Sequence, residues 1–98
     1  MALFDEVKKY LRIDASDTGF DGEIQDLIDA AQMDLIEVGV DTLIVHAVSI
    51  DPLIKRAIVT YAKANFGYES DSADQLNESY LKIKIFLMNN PDYMAVVP

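Results

Sequence analysis

The chain has 98 residues, 51% of them apolar and 26% charged, which is enough for one folded domain with a modest core and leaves no room for a second. Its 17 Asp and Glu against 8 Lys and Arg give a net charge of −9, the wrong sign for holding nucleic acid through its phosphates. The absence of cysteine excludes a disulfide framework, a thiolate zinc site and a cysteine nucleophile, and makes the cytoplasm the default compartment.

Asp5 and Glu6 stand where a signal peptide would need an apolar run, and no apolar stretch approaches the ~18 residues of a membrane span, so neither secretion nor membrane insertion is expected. Leu3, Val7 and Leu11, with Phe4 and Tyr10 beside them, recur at helical spacing and predict a first helix over 3–12. The run from Asp14 to Gly22 is dense in Asp, Ser, Thr and Gly, residues that bond their own backbone or tolerate positive φ, and reads as a turn pinned to the core by Phe20. Asp14, Ser16 and Thr18 alternate ahead of Gly19 as in a calcium loop, but Gln25 occupies the position where a bidentate Glu is required, so the turn reading prevails.

A second helix is predicted over 22–38, because Ile24, Leu27, Ile28, Ala31, Leu35 and Val38 fall within about 100° of one another on a helical wheel. Asp21 is its expected N-cap and Gly39 its expected C′ residue. Glu23, Asp26, Asp34 and Glu37 cluster within roughly 80° beside the apolar stripe. A solvated face is the ordinary reading of such an acidic stripe; assembly would give it more meaning.

Residues 39–50 include Leu43, Ile44, Val45, Ala47 and Val48, a partly β-branched run compatible with a short strand or a packed loop, and are left irregular. Asp51 followed by Pro52 opens a third helix over 52–66, with Leu53, Ile54, Ala57, Ile58, Tyr61 and Ala62 on its core face and Gly67 as its stop. Lys55 and Lys63 lie two turns apart on one side with Arg56 adjoining, placed to meet acids of another subunit or simply to aid solubility.

A fourth helix over 73–88 starts at Ser72, whose spacing to Gln75 is that of a capping box. It is apolar on two sides: Leu76, Tyr80, Ile83 and Leu87 define one face and Leu81, Ile85 and Met88 a nearly opposite one. One small core cannot cover both, so this helix is either central to the bundle or buries its second face against another chain; the second reading is favoured. The tail from Pro91 to Pro98 is expected to be extended, either docked on a neighbour or mobile. The sum is an all-α domain over 1–98, a small bundle of four helices with acidic turns and an extended C-terminal tail.

Chemistry is not expected. The single histidine, His46, stands alone in an apolar run, and no phosphate-cradling, dinucleotide, nucleophile-elbow or H-E-x-x-H pattern occurs, so no enzyme, cofactor or metal site is anticipated.

The stretch Lys9-Tyr10-Leu11-Arg12-Ile13-Asp14, the helix containing Ala30-Ala31, Asp51-Pro52-Leu53-Ile54-Lys55-Arg56-Ala57-Ile58, and Tyr61-Ala62-Lys63-Ala64-Asn65-Phe66-Gly67-Tyr68 with Tyr80, Leu81 and Leu87 beyond it together set an order. In it the chain resembles the head-tail connector family of tailed bacteriophages and prophages, also known as phage DNA packaging or head completion proteins. The resemblance spans nearly the whole chain and departs from the family pattern between Leu43 and Ser49.

It implies a structural virion assembly protein: a dodecameric ring of identical subunits below the portal protein, meeting a tail-side completion protein and extending the channel through which DNA passes without sequence-specific binding. It further implies assembly in the host bacterial cytoplasm, a final place at the head-tail junction and no membrane contact. In such a ring the expected subunit interface is Leu81, Ile85, Met88, Lys55 and Lys63, and the expected lumen-facing acidic stripe is Glu23, Asp26, Asp34 and Glu37. The alternative kept open is an acidic DNA-mimic inhibitor of a nucleic-acid-binding protein.

Overall fold

A computed structural model of the chain describes residues 3–66 and 72–95. They form α1 (Leu3–Tyr10), α2 (Asp21–Glu37), α3 (Thr42–Val45), α4 (Pro52–Asn65) and α5 (Ala73–Met88), with no strand among the described residues beyond one isolated bridge, Val40 to Met94. The all-α class follows as the apolar spacing predicts. The number of helices does not: the irregular segment holds the extra one, α3, a single turn capped by Asp41, whose side chain accepts from the Leu43 N–H.

α4 is the centre of the bundle and packs against α5, α2 and α1. The reason lies in its sequence: Ile54, Ala57, Ile58, Val59 and Ala62 are all buried, and the small alanines let the neighbouring helices approach. Around it Val7 of α1, Ile24, Ile28, Ala31 and Leu35 of α2, Val45 of α3 and Tyr80 and Leu87 of α5 complete one core. α5, the helix with two apolar faces, is therefore not the central one and contributes only Tyr80 and Leu87 to the buried core.

The helix ends show where local chemistry governs. Asp51 caps α4 as expected, accepting from the Leu53 N–H at 2.9 Å and the Ile54 N–H at 3.3 Å with Pro52 inside the first turn. After α2, Gly39 takes φ +104°, and the Gly39 and Val40 N–H groups donate to the Ile36 and Leu35 carbonyls at 3.0 and 3.1 Å, a Schellman closure. α1 closes by the same bonds, Arg12 N–H to the Lys9 carbonyl at 2.9 Å and Ile13 N–H to the Lys8 carbonyl at 3.2 Å, with Arg12 rather than glycine at φ +62°. α1 accordingly stops at Tyr10, short of the expected 12.

Three local expectations are corrected. Asp21 is not the N-cap of α2; Phe20 holds that position, and Asp21, inside the first turn, accepts from the Lys8 Nζ at 2.9 Å. Lys8 is almost fully buried and also donates to the Ala15 carbonyl at 3.2 Å, so the long Asp14–Phe20 turn is tied down by a lysine and less by Phe20, which stays 45% exposed against the Phe66 ring. At α5, Ser72 holds the N-cap position but its hydroxyl makes no capping bond.

The tail is not simply extended either: Pro91 to Tyr93 form a turn, and Met94 and Ala95 run beside Gly39 to Asp41, with Asp41 N–H donating to the Tyr93 carbonyl at 2.8 Å and Ala95 N–H to the Gly39 carbonyl at 2.8 Å. The Tyr93 hydroxyl adds hydrogen bonds of 3.0 and 3.1 Å to the capping carboxylate of Asp51. Residues Val96 to Pro98 and the expected stop at Gly67 lie outside the described residues.

Candidate assembly surface

α5 rests on α4 through Tyr80 and Leu87, with Ile83 partly buried beside them and the Tyr80 ring edge-on to Tyr61 at 5.2 Å between centroids. Its opposite side faces solvent. Leu81, Ile85 and Met88 are 49, 48 and 43% exposed and Phe86 is 55% exposed, a concentration of large apolar side chains on one 16-residue helix. Singly exposed apolar residues are ordinary on a monomer, whereas a large contiguous apolar patch is the kind of surface that serves association.

The edge of α5 toward α2 is polar and closed. The Tyr80 hydroxyl donates to Asp34 Oδ2 at 2.6 Å, and Lys84 Nζ reaches the same oxygen at 3.1 Å while lying 5.3 Å from the Tyr80 ring centroid. Partial burial works to raise the Asp34 carboxyl, but the Tyr80 hydrogen bond and the Lys84 charge outweigh it and leave it below the usual carboxylate range. Burial, then the bond to Asp34, pushes the Tyr80 phenol well above its ordinary value.

The acidic stripe read from α2 is thus divided. Glu23, Asp26 and Glu37 are exposed, whereas Asp34 is half-buried and its charge is met within the chain by Lys84. On α4, Lys63 is exposed and Lys55 half-buried, with Val59 buried between them, so the two lysines do not form one continuous exposed strip. His46 is exposed at the end of α3.

The acidic first turn is occupied with itself: Asp14 accepts from the Ser16 backbone and hydroxyl, both at 2.9 Å, and Asp17 from the Gly19 N–H at 2.9 Å. The Ser16 bonds, the backbone one foremost, hold the Asp14 carboxyl below its ordinary value. Among the described residues no cluster of three or more His, Asp or Glu is arranged to hold a metal ion, and no helix is long and apolar enough to cross a membrane.

Phe86 is the surface residue that wheel reasoning overlooked. It belongs to neither apolar face read from α5 but lines, with Ile83, Ser79 and Lys82 and with Leu53 and Arg56 of α4, an open groove of about 410 Å³ between the two helices. Ser79, Lys82, Ile83 and Phe86 do stand at helical spacing in the sequence; that they face Leu53 and Arg56 depends on how α5 crosses α4, which no local pattern carries.

No curated protein and no solved structure matches the chain. A family described as phage connector protein matches residues 3–94, through α1 to α5 and the bridge at Met94, and the chain accordingly belongs to the phage head-tail connector family.

Proposed function

We propose that this chain is a structural connector subunit that assembles with copies of itself into a ring below the portal protein, meets a tail-side completion protein on the other side, and extends the channel for DNA. The observation that carries the reading is the outer face of α5, where Leu81, Ile85 and Met88 stand exposed on a helix that the bundle's own core does not need on that side. Fully burying one such side chain contributes roughly 1.5–3 kcal/mol, so covering the face by a neighbour supplies the drive for association. Lys55 and Lys63 of α4 are assigned to the rim of the contact, where they steer acidic neighbours.

The stripe on α2 is assigned to the channel wall. Glu23, Asp26 and Glu37 are the exposed members of the stripe, whereas Asp34 is half-buried and paired with Lys84. Carboxylates facing the lumen repel phosphate and let DNA slide instead of sticking. The net charge of −9 suits a passage of that kind and gives no role to base recognition. An acidic DNA mimic would need carboxylates across a broad outer surface; the exposed Leu81, Ile85, Phe86 and Met88 weigh against it.

The test is sedimentation velocity of the chain alone and with purified portal protein. A complex with portal that is lost in Ile85→Asp, with helicity unchanged, supports the reading. A chain that remains monomeric in every mixture overturns it.

A further inference from the structure

The outer face of α5 extends beyond its three apolar residues. Asp74, Glu78, Leu81, Ile85 and Met88 follow one another at spacings of four, three, four and three, all exposed, which is the seam spacing by which one helix packs along another. The seam is acidic in its first two positions and apolar in its last three.

The groove between α4 and α5 has the complementary content. Its apolar lining is Leu53, Ile83 and Phe86, and its rim carries the cations Arg56 and Lys82, with Ser79 beside them. Among the described residues Lys82 pairs with Glu78 alone, an exposed intrahelical contact at 3.5 Å that is worth little and readily exchanged. On the α5 wheel the groove residues Ser79 and Phe86 lie roughly 120–140° from the centre of the seam. A copy therefore cannot fold its own seam into its own groove.

We propose that the seam of one copy docks in the α4–α5 groove of the next, with Leu81, Ile85 and Met88 against Leu53, Ile83 and Phe86, and Asp74 and Glu78 against Arg56 and Lys82. The occupant is a second copy because the seam, acidic in its first positions and apolar in its last, matches the cationic rim and apolar lining of the groove. The contact joins two different surfaces, so it is head-to-tail and propagates from copy to copy, as the ring reading requires. This pairing rests on the ring reading above and specifies its interface.

The experiment uses two full-length variants, Ile85→Asp in the seam and Phe86→Asp in the groove, each checked for unchanged helicity, under conditions where the wild-type chain assembles, with portal if needed. Each variant alone is expected to lose assembly, its association weakened about tenfold or more. Mixed in equal amounts without portal, they are expected to form a dimer that grows no further, because the seam of Phe86→Asp still meets the groove of Ile85→Asp.

A second pair, Arg56→Glu and Glu78→Arg, is expected to lose assembly singly, by placing like charges in the contact, and to regain full growth when mixed, because both alternating contacts then pair opposite charges. If Phe86→Asp and Arg56→Glu both assemble as the wild type does, the groove assignment is overturned while the ring reading survives. If the wild-type chain never assembles, with portal or alone, the ring reading itself fails and takes this pairing with it.

Discussion

The Tyr80 hydroxyl sits 2.6 Å from Asp34 Oδ2, joining α5 to α2 across 46 positions of sequence and holding the exposed helix at a set rotation on the bundle. That rotation decides which side of α5 faces outward, and so links a single buried-edge hydrogen bond to the surface on which assembly is proposed. Tyr80→Phe keeps the packing against Tyr61 and removes the bond; a loss of about 1 kcal/mol in urea denaturation is expected, since Lys84 and solvent still serve Asp34. No change in the unfolding midpoint would show that packing alone fixes α5.

The pH dependence of stability follows from the same pair. The Tyr80 phenol is raised in the folded chain, so its contribution is complete below the unfolded value of 10.0 and is lost as pH rises beyond it. Asp34 is lowered, so its contribution is present above 3.8 and is lost as pH falls toward and through the lower folded value. Denaturation midpoints measured between about pH 3 and 11 should fall at both ends. In Tyr80→Phe the alkaline fall should shrink, leaving the smaller part due to Tyr93, whose phenol is raised by its burial and its bond to Asp51.

Arg12 holds φ +62° at the closure of α1, a conformation costing a side-chain-bearing residue roughly 1 kcal/mol that glycine does not pay. Arg12→Gly is expected to raise stability by up to about 1 kcal/mol, less the added freedom of the unfolded chain. A lowered melting temperature would mean that the arginine side chain holds the α1 end in another way.

Gly39 is the opposite case. A Cβ there would lie 2.6 Å from the Met94 methyl carbon, and φ is +104°. Gly39→Ala is expected to cost about 2 kcal/mol or more, and combining it with Met94→Ala should recover the clash but not the backbone strain. Full recovery in the double variant would show that φ is not the constraint.

The features visible in the sequence were those with local causes. α2, α4 and α5 are long and strongly periodic, and Asp51-Pro52 and Gly39 terminate helices by their own backbone chemistry, so their bounds agree within a residue. α1 ended early because its αL closure falls on Arg12, which carries no glycine signal. α3 escaped because four β-branched and aliphatic residues, Thr42 to Val45, look like strand or loop until Asp41 caps them.

Lys8 with Asp21, Asp34 with Tyr80 and Lys84, and Asp51 with Tyr93 are pairs set by tertiary packing, and no spacing rule reaches them. For the surface, the two-faced character of α5 was legible in its wheel. The same wheel favoured α5 as a non-central helix, but that α4 takes the centre and that Phe86 faces a groove with Arg56 were not legible, because both depend on the packing of helices distant in sequence.

The most direct test of the central claim is sedimentation velocity of the wild-type chain titrated into purified portal protein, with Ile85→Asp as the paired control. A single heavy complex that saturates with added chain, and that Ile85→Asp fails to form while keeping its helicity, is the predicted result. A chain that stays at its 10.9 kDa monomer mass at every ratio, or an Ile85→Asp variant that saturates the portal as the wild type does, would contradict the account.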